Sequence, residues 1–275
     1  MSTEVITPAV VVEVAAPKKK KRRRRRLIIV LGIVLALLVV AFVVADGVAK
    51  SYAAGYVKAG VIAALKIDPK TPVQVDLGAG SIILQAITGR IDKVTVDATS
   101  LSFGDLTGAA HIVATNVPLD SNKPLDTLGI TVTITQENVR KLAKFAGGLD
   151  IKKLDVGNGV ITVGTDLSVL FLTIPVSVDL EPSAKDGAIS FEPKSVKLGD
   201  KLMAVADLRA DRQFAAIAGA LLAAQQVCVA SSLPSALKID DVHVVKNSLV
   251  VNINGDGTAL NGPGLSTYGT CPAAK

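Results

Sequence analysis

The spacing of hydrophobic positions changes along this chain of 275 residues, and each change marks an element. Leu27 to Ala45 is apolar throughout apart from Gly32, nineteen residues that as a helix rise about 1.5 Å each and match a hydrocarbon core of roughly 30 Å. That stretch predicts a membrane span. Residues 47–66 then follow helical spacing, with Val48, Tyr52 and Tyr56 recurring at i+4, as do Val57, Val61 and Leu65. Tyr52 and Tyr56 fit either aromatics at a bilayer interface or the buried face of this helix.

From Pro72 the period becomes two. Val73, Val75 and Leu77, then Val94, Val96 and Ala98, then Ile130, Val132 and Ile134 alternate with polar residues, the pattern of half-buried strands. The longest such run is Leu170, Leu172, Ile174, Val176, Val178 and Leu180, where Pro175 requires an edge position or a bulge. Asp186-Gly187 predicts a hairpin turn into Ile189 and Phe191, and Lys246-Asn247 a second hairpin joining Val242 and Val244 to Leu249, Val251 and Ile253.

Three helices interrupt these strands. Ser81 to Thr88 is short and apolar and closes at Gly89; Thr135 caps Gln136 to Phe145, with Gly147-Gly148 as the stop; and Asp211 caps Arg212 to Val229, apolar almost all round. Residues 255–275 read as an irregular tail rich in Gly, Ser, Thr and Pro. The order of elements, with hairpin-length connections, predicts one antiparallel α+β domain in which an elongated, curled sheet wraps long helices.

Charge sharpens this picture. Nine of the thirty cations form one run, Lys18 to Arg26, so residues 1–26 carry nine basic against two acidic residues, or +7, and residues from Asp46 onward carry 21 against 22, or −1. Basic charge confined to a tail, with five Phe, three Tyr and no Trp beyond the span, excludes a nucleic-acid interface on the folded part. The basic run before the span keeps the disordered leader, residues 1–26, in the cytoplasm and exports the domain of residues 46–254. It is also a candidate to hold anionic lipid on the inner leaflet. A cleaved signal peptide is the alternative to an uncleaved anchor at 27–45, since Val43 and Ala45 fit a cleavage site, but the apolar run exceeds a signal sequence's usual 7 to 15 residues. Cys228 and Cys271 are the only cysteines, and in an oxidising compartment such a pair predicts one disulfide. The alternatives are a buried free Cys228 on an apolar helix, or a redox or metal role that no CxxC spacing supports.

Catalytic patterns are scarce. The two histidines, His111 and His243, each fall in a strand-like stretch, which rules out a three-His metal site and reads as hydrogen-bonded sheet residues. No GxSxG or P-loop occurs, and Gly78-Ala79-Gly80 and Gly157-Asn158-Gly159 are turn glycines. Asn252, Asn254, Asp256 and Gly257 mimic the start of a calcium loop, but its twelfth position is Pro263. No enzyme, cofactor or metal is expected. The aliphatic strands suit either a hydrophobic ligand with flexible chains, at about 0.8 kcal/mol per buried CH₂, or a solid core.

The segment Gly80-Ser-Ile-Ile-Leu-Gln-Ala-Ile-Thr-Gly-Arg-Ile-Asp-Lys-Val-Thr-Val-Asp-Ala98 resembles the opening of the LmeA-type actinobacterial phospholipid-binding proteins. Gly129-Ile-Thr-Val-Thr-Ile134 and Leu233-Pro234 before Ile239 to Val245 agree, so the resemblance covers residues 46–254. Ala79-Gly80-Ser81 departs from it, standing where relatives tend to carry a bulkier residue. The resemblance implies a TULIP-like fold around an apolar groove, with phospholipid and membrane as partners and a role in the cell envelope. On that basis Ile82, Leu84, Ile87, Leu172, Ile174, Val176, Val178, Phe214 and Leu221 become groove candidates, and Arg90, Lys93, Arg140, Lys141 and Lys144 headgroup candidates. A non-enzymatic envelope scaffold with a solid core is the alternative.

Overall fold

The computed structural model describes residues 20–64, 68, 70–103, 106–143, 151–169, 172–210 and 225–271. The chain divides into two units, residues 1–48 and 49–275. One helix, α1 (Lys20–Ala64), contributes to both. Its described part already includes Lys20 to Arg26 of the basic run, before the expected Leu27, in keeping with lysine and arginine being good helix formers. In the first unit its aliphatic side chains face outward, with Leu31 69% exposed and a mean hydropathy reaching 3.0. That helix is long and apolar enough to cross a membrane.

In the second unit α1 lays Ala49, Ala53, Val57 and Val61 on the first core cluster. Tyr52 and Tyr56 lie about 100° round the helix from that row and are 81% and 78% exposed, which removes the buried-face alternative for the pair.

The strands form two antiparallel sheets. The first has the order β1 (Val73–Asp76), β2 (Arg90–Phe103), β3 (Leu106–Pro118), β4 (Thr127–Thr135), β12 (Ser248–Asn254), β11 (Lys238–Val245). The second runs β10 (Gln225–Cys228), β8 (Ala188–Leu198), β7 (Leu172–Lys185), β6 (Val160–Val169), β5 (Lys153–Gly157), with β9 (Lys201–Ala204) also paired to β8. The expected α+β class is present, but the single strongly curved sheet wrapped on long helices is corrected: there are two sheets and neither is strongly curled. Besides α1, the described helices are short: α2 (Ile82–Thr88), α3 (Gln136–Ala143), α4 (Val205–Ala210) and α5 (Pro263–Ser266).

Turns and register explain the division. Asn158-Gly159 and Asp186-Gly187 have positive φ at both residues, as tight hairpins of matching twist require, and they fold β5 to β8 into a meander. The β11–β12 hairpin instead joins β4, where Val251 faces Val132 and Ile253 faces Ile130, extending the apolar face of the first sheet. Pro175 lies on an interior strand but at the end of a ladder: β7 pairs with β8 only from Val176, and the Pro175 carbonyl accepts from Gly199 in the following turn. Its missing N–H therefore costs no ladder bond, and a bulge follows at Asp179/Leu180.

The helix expected over Arg212–Val229 is corrected where it is described. Gln225–Cys228 is an edge strand, Val227 opposite Ile189 and Cys228 opposite Ala188, so the reading of Cys228 on an apolar helix falls too. Cys228 is bonded to Cys271. The tail is also more ordered than its composition suggests. Leu125 and Asn261 exchange backbone bonds with Thr258 and Ser121 at one end, Ala236 and Ser235 donate to Gly264 and Thr267 further along, and Gly269 donates to Leu233 before the disulfide. A Cβ on Gly264 would sit 2.9 Å from that of Ala236, so this close approach requires glycine. The tail is a strap running from the β3–β4 loop to the edge of the second sheet.

Three clusters hold the described core. The first joins α1 and α2 to β1, β2 and β3; the second fills the space between the sheets with residues of β4, β11 and β12 against β5, β6 and β8, closed by Val139 of α3. The third is smaller: Val176, Val196, Val205 and Leu208, between β7, β8 and α4.

Candidate functional site

The groove candidates fall into two places. One is α2, whose start is fixed by the Ser81 hydroxyl accepting from the Leu84 N–H at 3.3 Å, and whose end is fixed by Gly89 at φ +75°. Ile82 is buried in the first cluster, but Leu84 and Ile87 are 55% and 78% exposed. The inward position one turn on from Ile82 is taken by Gln85, 6% exposed. Its Oε1 accepts from the Asp92 N–H at 2.9 Å, tying α2 to β2, while its Nε2 has no protein partner. The helix is thus partly inverted, with an amide inside and two aliphatic side chains in solvent. Gly80 belongs to the same arrangement, because a Cβ there would collide with the Gln85 amide. Nearby, the Lys50 ammonium of α1 donates to the Gly78 carbonyl, anchoring the glycine turn that leads into α2.

The other place is β7. Val176 is buried in the third cluster, and Ile174 and Val178 are half-buried beside it. Leu172 begins this strand, and Phe214 and Leu221 lie outside the described residues. The α2 and β7 candidates belong to different clusters and different sheets.

The headgroup candidates are likewise divided. Arg90 spends its guanidinium on the protein: Nε reaches Asn116 Oδ1 at 2.5 Å, Nη2 donates to the carbonyls of Asn116 and Pro124, and Asp126 lies at 3.3 Å. With those contacts it braces the β3–β4 loop against β2. Lys93 is exposed on β2 near Gly78. Arg140 and Lys141 sit apart from both, on α3, where Arg140 donates to the Leu154 carbonyl and faces Asp155 at 3.7 Å and Lys141 pairs with Glu137. Lys144 lies outside the described residues.

A feature absent from the sequence reading is a polar cleft of about 520 Å³ on the second sheet. Asp155, Thr162, Asp179 and Ser195 are register partners across β5, β6, β7 and β8 and form one row there. The Asp179 carboxylate accepts from Thr162 at 2.6 Å and from Ser195 at 2.5 Å. Lys194 at the rim pairs with Glu181, whose hydrogen bond and negative charge raise the lysine's pKa above its usual 10.5. Strand alternation announces each of these residues as outward, but only the register brings them into line.

His111 pairs with Asp97 at 2.6 Å and His243 with Asp241 at 2.5 Å, each within its sheet. Asp256 accepts from the Leu128 N–H at 2.7 Å and belongs to a turn. Among the described residues no group of three or more His, Cys, Asp or Glu is placed to hold a metal ion.

A two-sheet α+β unit with an apolar helix before it, an exposed aliphatic edge and half-buried aliphatic strands has the features of a lipid-associated protein. The profile of the family described as LmeA-like phospholipid-binding matches residues 44–254, most of the chain. The protein belongs to that family. No curated protein and no solved structure matches it.

Proposed function

We propose that this protein is anchored in the cell membrane by residues 27–45, with its N-terminus in the cytoplasm, and that its second unit holds phospholipid outside the cytoplasm by non-covalent contacts. Membership of the phospholipid-binding family over residues 44–254 carries this reading. Two further observations support it. The basic run before the apolar helix favours that orientation. The half-buried Ile174 and Val178 beside Val176 offer aliphatic surface suited to acyl chains, each CH₂ removed from water contributing about 0.8 kcal/mol. In this reading the chain ferries or stores lipid for the cell envelope, and its chemistry is burial rather than bond making.

The test is retention. The piece from residue 47 is delipidated, refolded and mixed with phospholipid vesicles, then separated and weighed by native mass spectrometry. A mass increment of one or more intact phospholipids is expected, and a refolded piece that never carries lipid ends the reading.

A further inference from the structure

Two of the aliphatic side chains of α2 face away from the core that Ile82 and Ile83 join. Leu84 and Ile87 stand 55% and 78% exposed, and Leu119 at 53% joins them, since its N–H donates to the Gly89 carbonyl at the end of the same helix. The inward place is held by Gln85. Leu84 and Ile87 are left in solvent although Gln85 occupies an inward place on the same helix, so this aliphatic edge calls for an occupant outside the protein.

We propose that Leu84, Ile87 and Leu119 form an edge that enters the surface of the bilayer in which the chain is anchored. This rests on the membrane-anchored phospholipid-binding reading and adds the place where the domain meets its lipid source. Chain length selects the bilayer over other occupants. Lys50 is five residues beyond Ala45, at most about 18 Å of chain in any conformation, and its ammonium is bonded to Gly78, four residues before Ile82. The bilayer is therefore held within reach of this edge at all times, a tethered encounter that no diffusing partner matches. Local charge adds no bias: Lys50, Lys93 and Lys123 are offset by Asp76, Asp92 and Asp120, and Arg90 is paired with Asp126. Contact through this edge is thus driven by apolar burial and is indifferent to the anionic fraction of the membrane.

The sequence contains no tryptophan, so a single Ile87→Trp substitution at an exposed position supplies a clean reporter. The full chain carrying it is reconstituted into vesicles of phosphatidylcholine, with or without phosphatidylglycerol, in which part of the phosphatidylcholine is brominated at shallow acyl positions. Leu202→Trp, at a residue 65% exposed on β9 of the other sheet, serves as the control. Circular dichroism verifies that both variants are folded. The expected result is blue-shifted emission at position 87, quenched by bromolipid equally in both compositions, with the control left in water. Water-exposed emission at position 87 overturns the proposal. Blue-shifted emission that bromolipid does not quench also overturns it, since a second copy or another protein then covers the edge. Native mass spectrometry of the unsubstituted chain is read separately. Quenching without retained phospholipid removes the binding reading and leaves the edge as a membrane contact; retention without quenching removes the edge alone.

Discussion

The two sheets put their aliphatic residues to different uses. The first is covered on its inner face by α1 and α2 at one end and by the second sheet at the other, and its candidates Val94, Val96, Val132 and Ile134 are all at or below 9% exposure. The second is covered in the same way only where β5, β6 and β8 meet β11 and β12; toward Ile174 and Val178 the described cluster shrinks to four buried residues. An identical two-residue period thus builds a sealed core in one sheet and, among the described residues, a smaller cluster flanked by half-buried Ile174 and Val178 in the other. Under the proposed function, the sealed clusters supply stability and the half-buried end of β7 is where acyl chains are held.

The sharpest way to break that contrast is a matched pair of truncations. Leu77→Ala, at a residue 1% exposed in the first cluster, is expected to cost about 3–5 kcal/mol in urea unfolding of the second unit. Ile174→Ala, at a half-buried residue of the third cluster, is expected to cost about 1 kcal/mol and to lower the retained phospholipid seen by native mass spectrometry. Equal stability losses from the two, or a retention loss from Leu77→Ala alone in the folded protein, would show that the sheets do not divide their labour this way.

Next in size is the strap. Cys228–Cys271 closes a loop with a sequence separation of 43, for which the chain-entropy account gives about 4 kcal/mol as an upper figure. Reduction, or paired Cys→Ser substitution, should lower the urea midpoint accordingly. Because Cys228 is on the edge strand β10 and Ser121 and Leu125 bond to the near end of the strap, protection of amide hydrogens should fall first at β10 and remain high in β2 and β3. Uniform loss across both sheets would mean that the strap supports the whole fold rather than the edge of the second sheet.

Several of these elements are legible in sequence because their cause is local. Ser81 and Gly89 bracket α2, Asp186-Gly187 sets its hairpin, and nineteen apolar-rich residues give the membrane-length helix. What escapes is set by partners far along the chain. Val227 and Cys228 read as part of an apolar helix until β8 offers Ile189 and Ala188 as ladder partners. The row from Asp155 to Ser195 depends on three registers at once. The glycines of the tail read only as irregular chain, and it is Ala236 that needs the space at Gly264. Of the candidate site, α2 is legible as an element, but five apolar letters in seven residues carry no record of which ones face outward. Only the buried Gln85 reveals it.

The smallest expected effect concerns the outer side of the second sheet, where the polar cleft lies. Lys194 is exposed, and its pKa is raised by the hydrogen bond and charge of Glu181. A lysine whose folded-state pKa is raised contributes its stabilisation below the unfolded value and loses it as pH climbs through the folded one, so any contribution is present near neutrality and disappears in strong alkali. Exposure to solvent screens the pair, and an exposed ion pair commonly contributes nothing measurable. Lys194→Met should therefore leave the thermal midpoint unchanged near neutral pH and unchanged again above the lysine range. A midpoint that falls near neutrality and recovers its parity with the unsubstituted chain in alkali would assign stability to the outer face through this pair. A fall that persists in alkali would assign it to packing of the lysine stem. Either result would require the division of labour between the sheets to be redrawn to include their solvent sides.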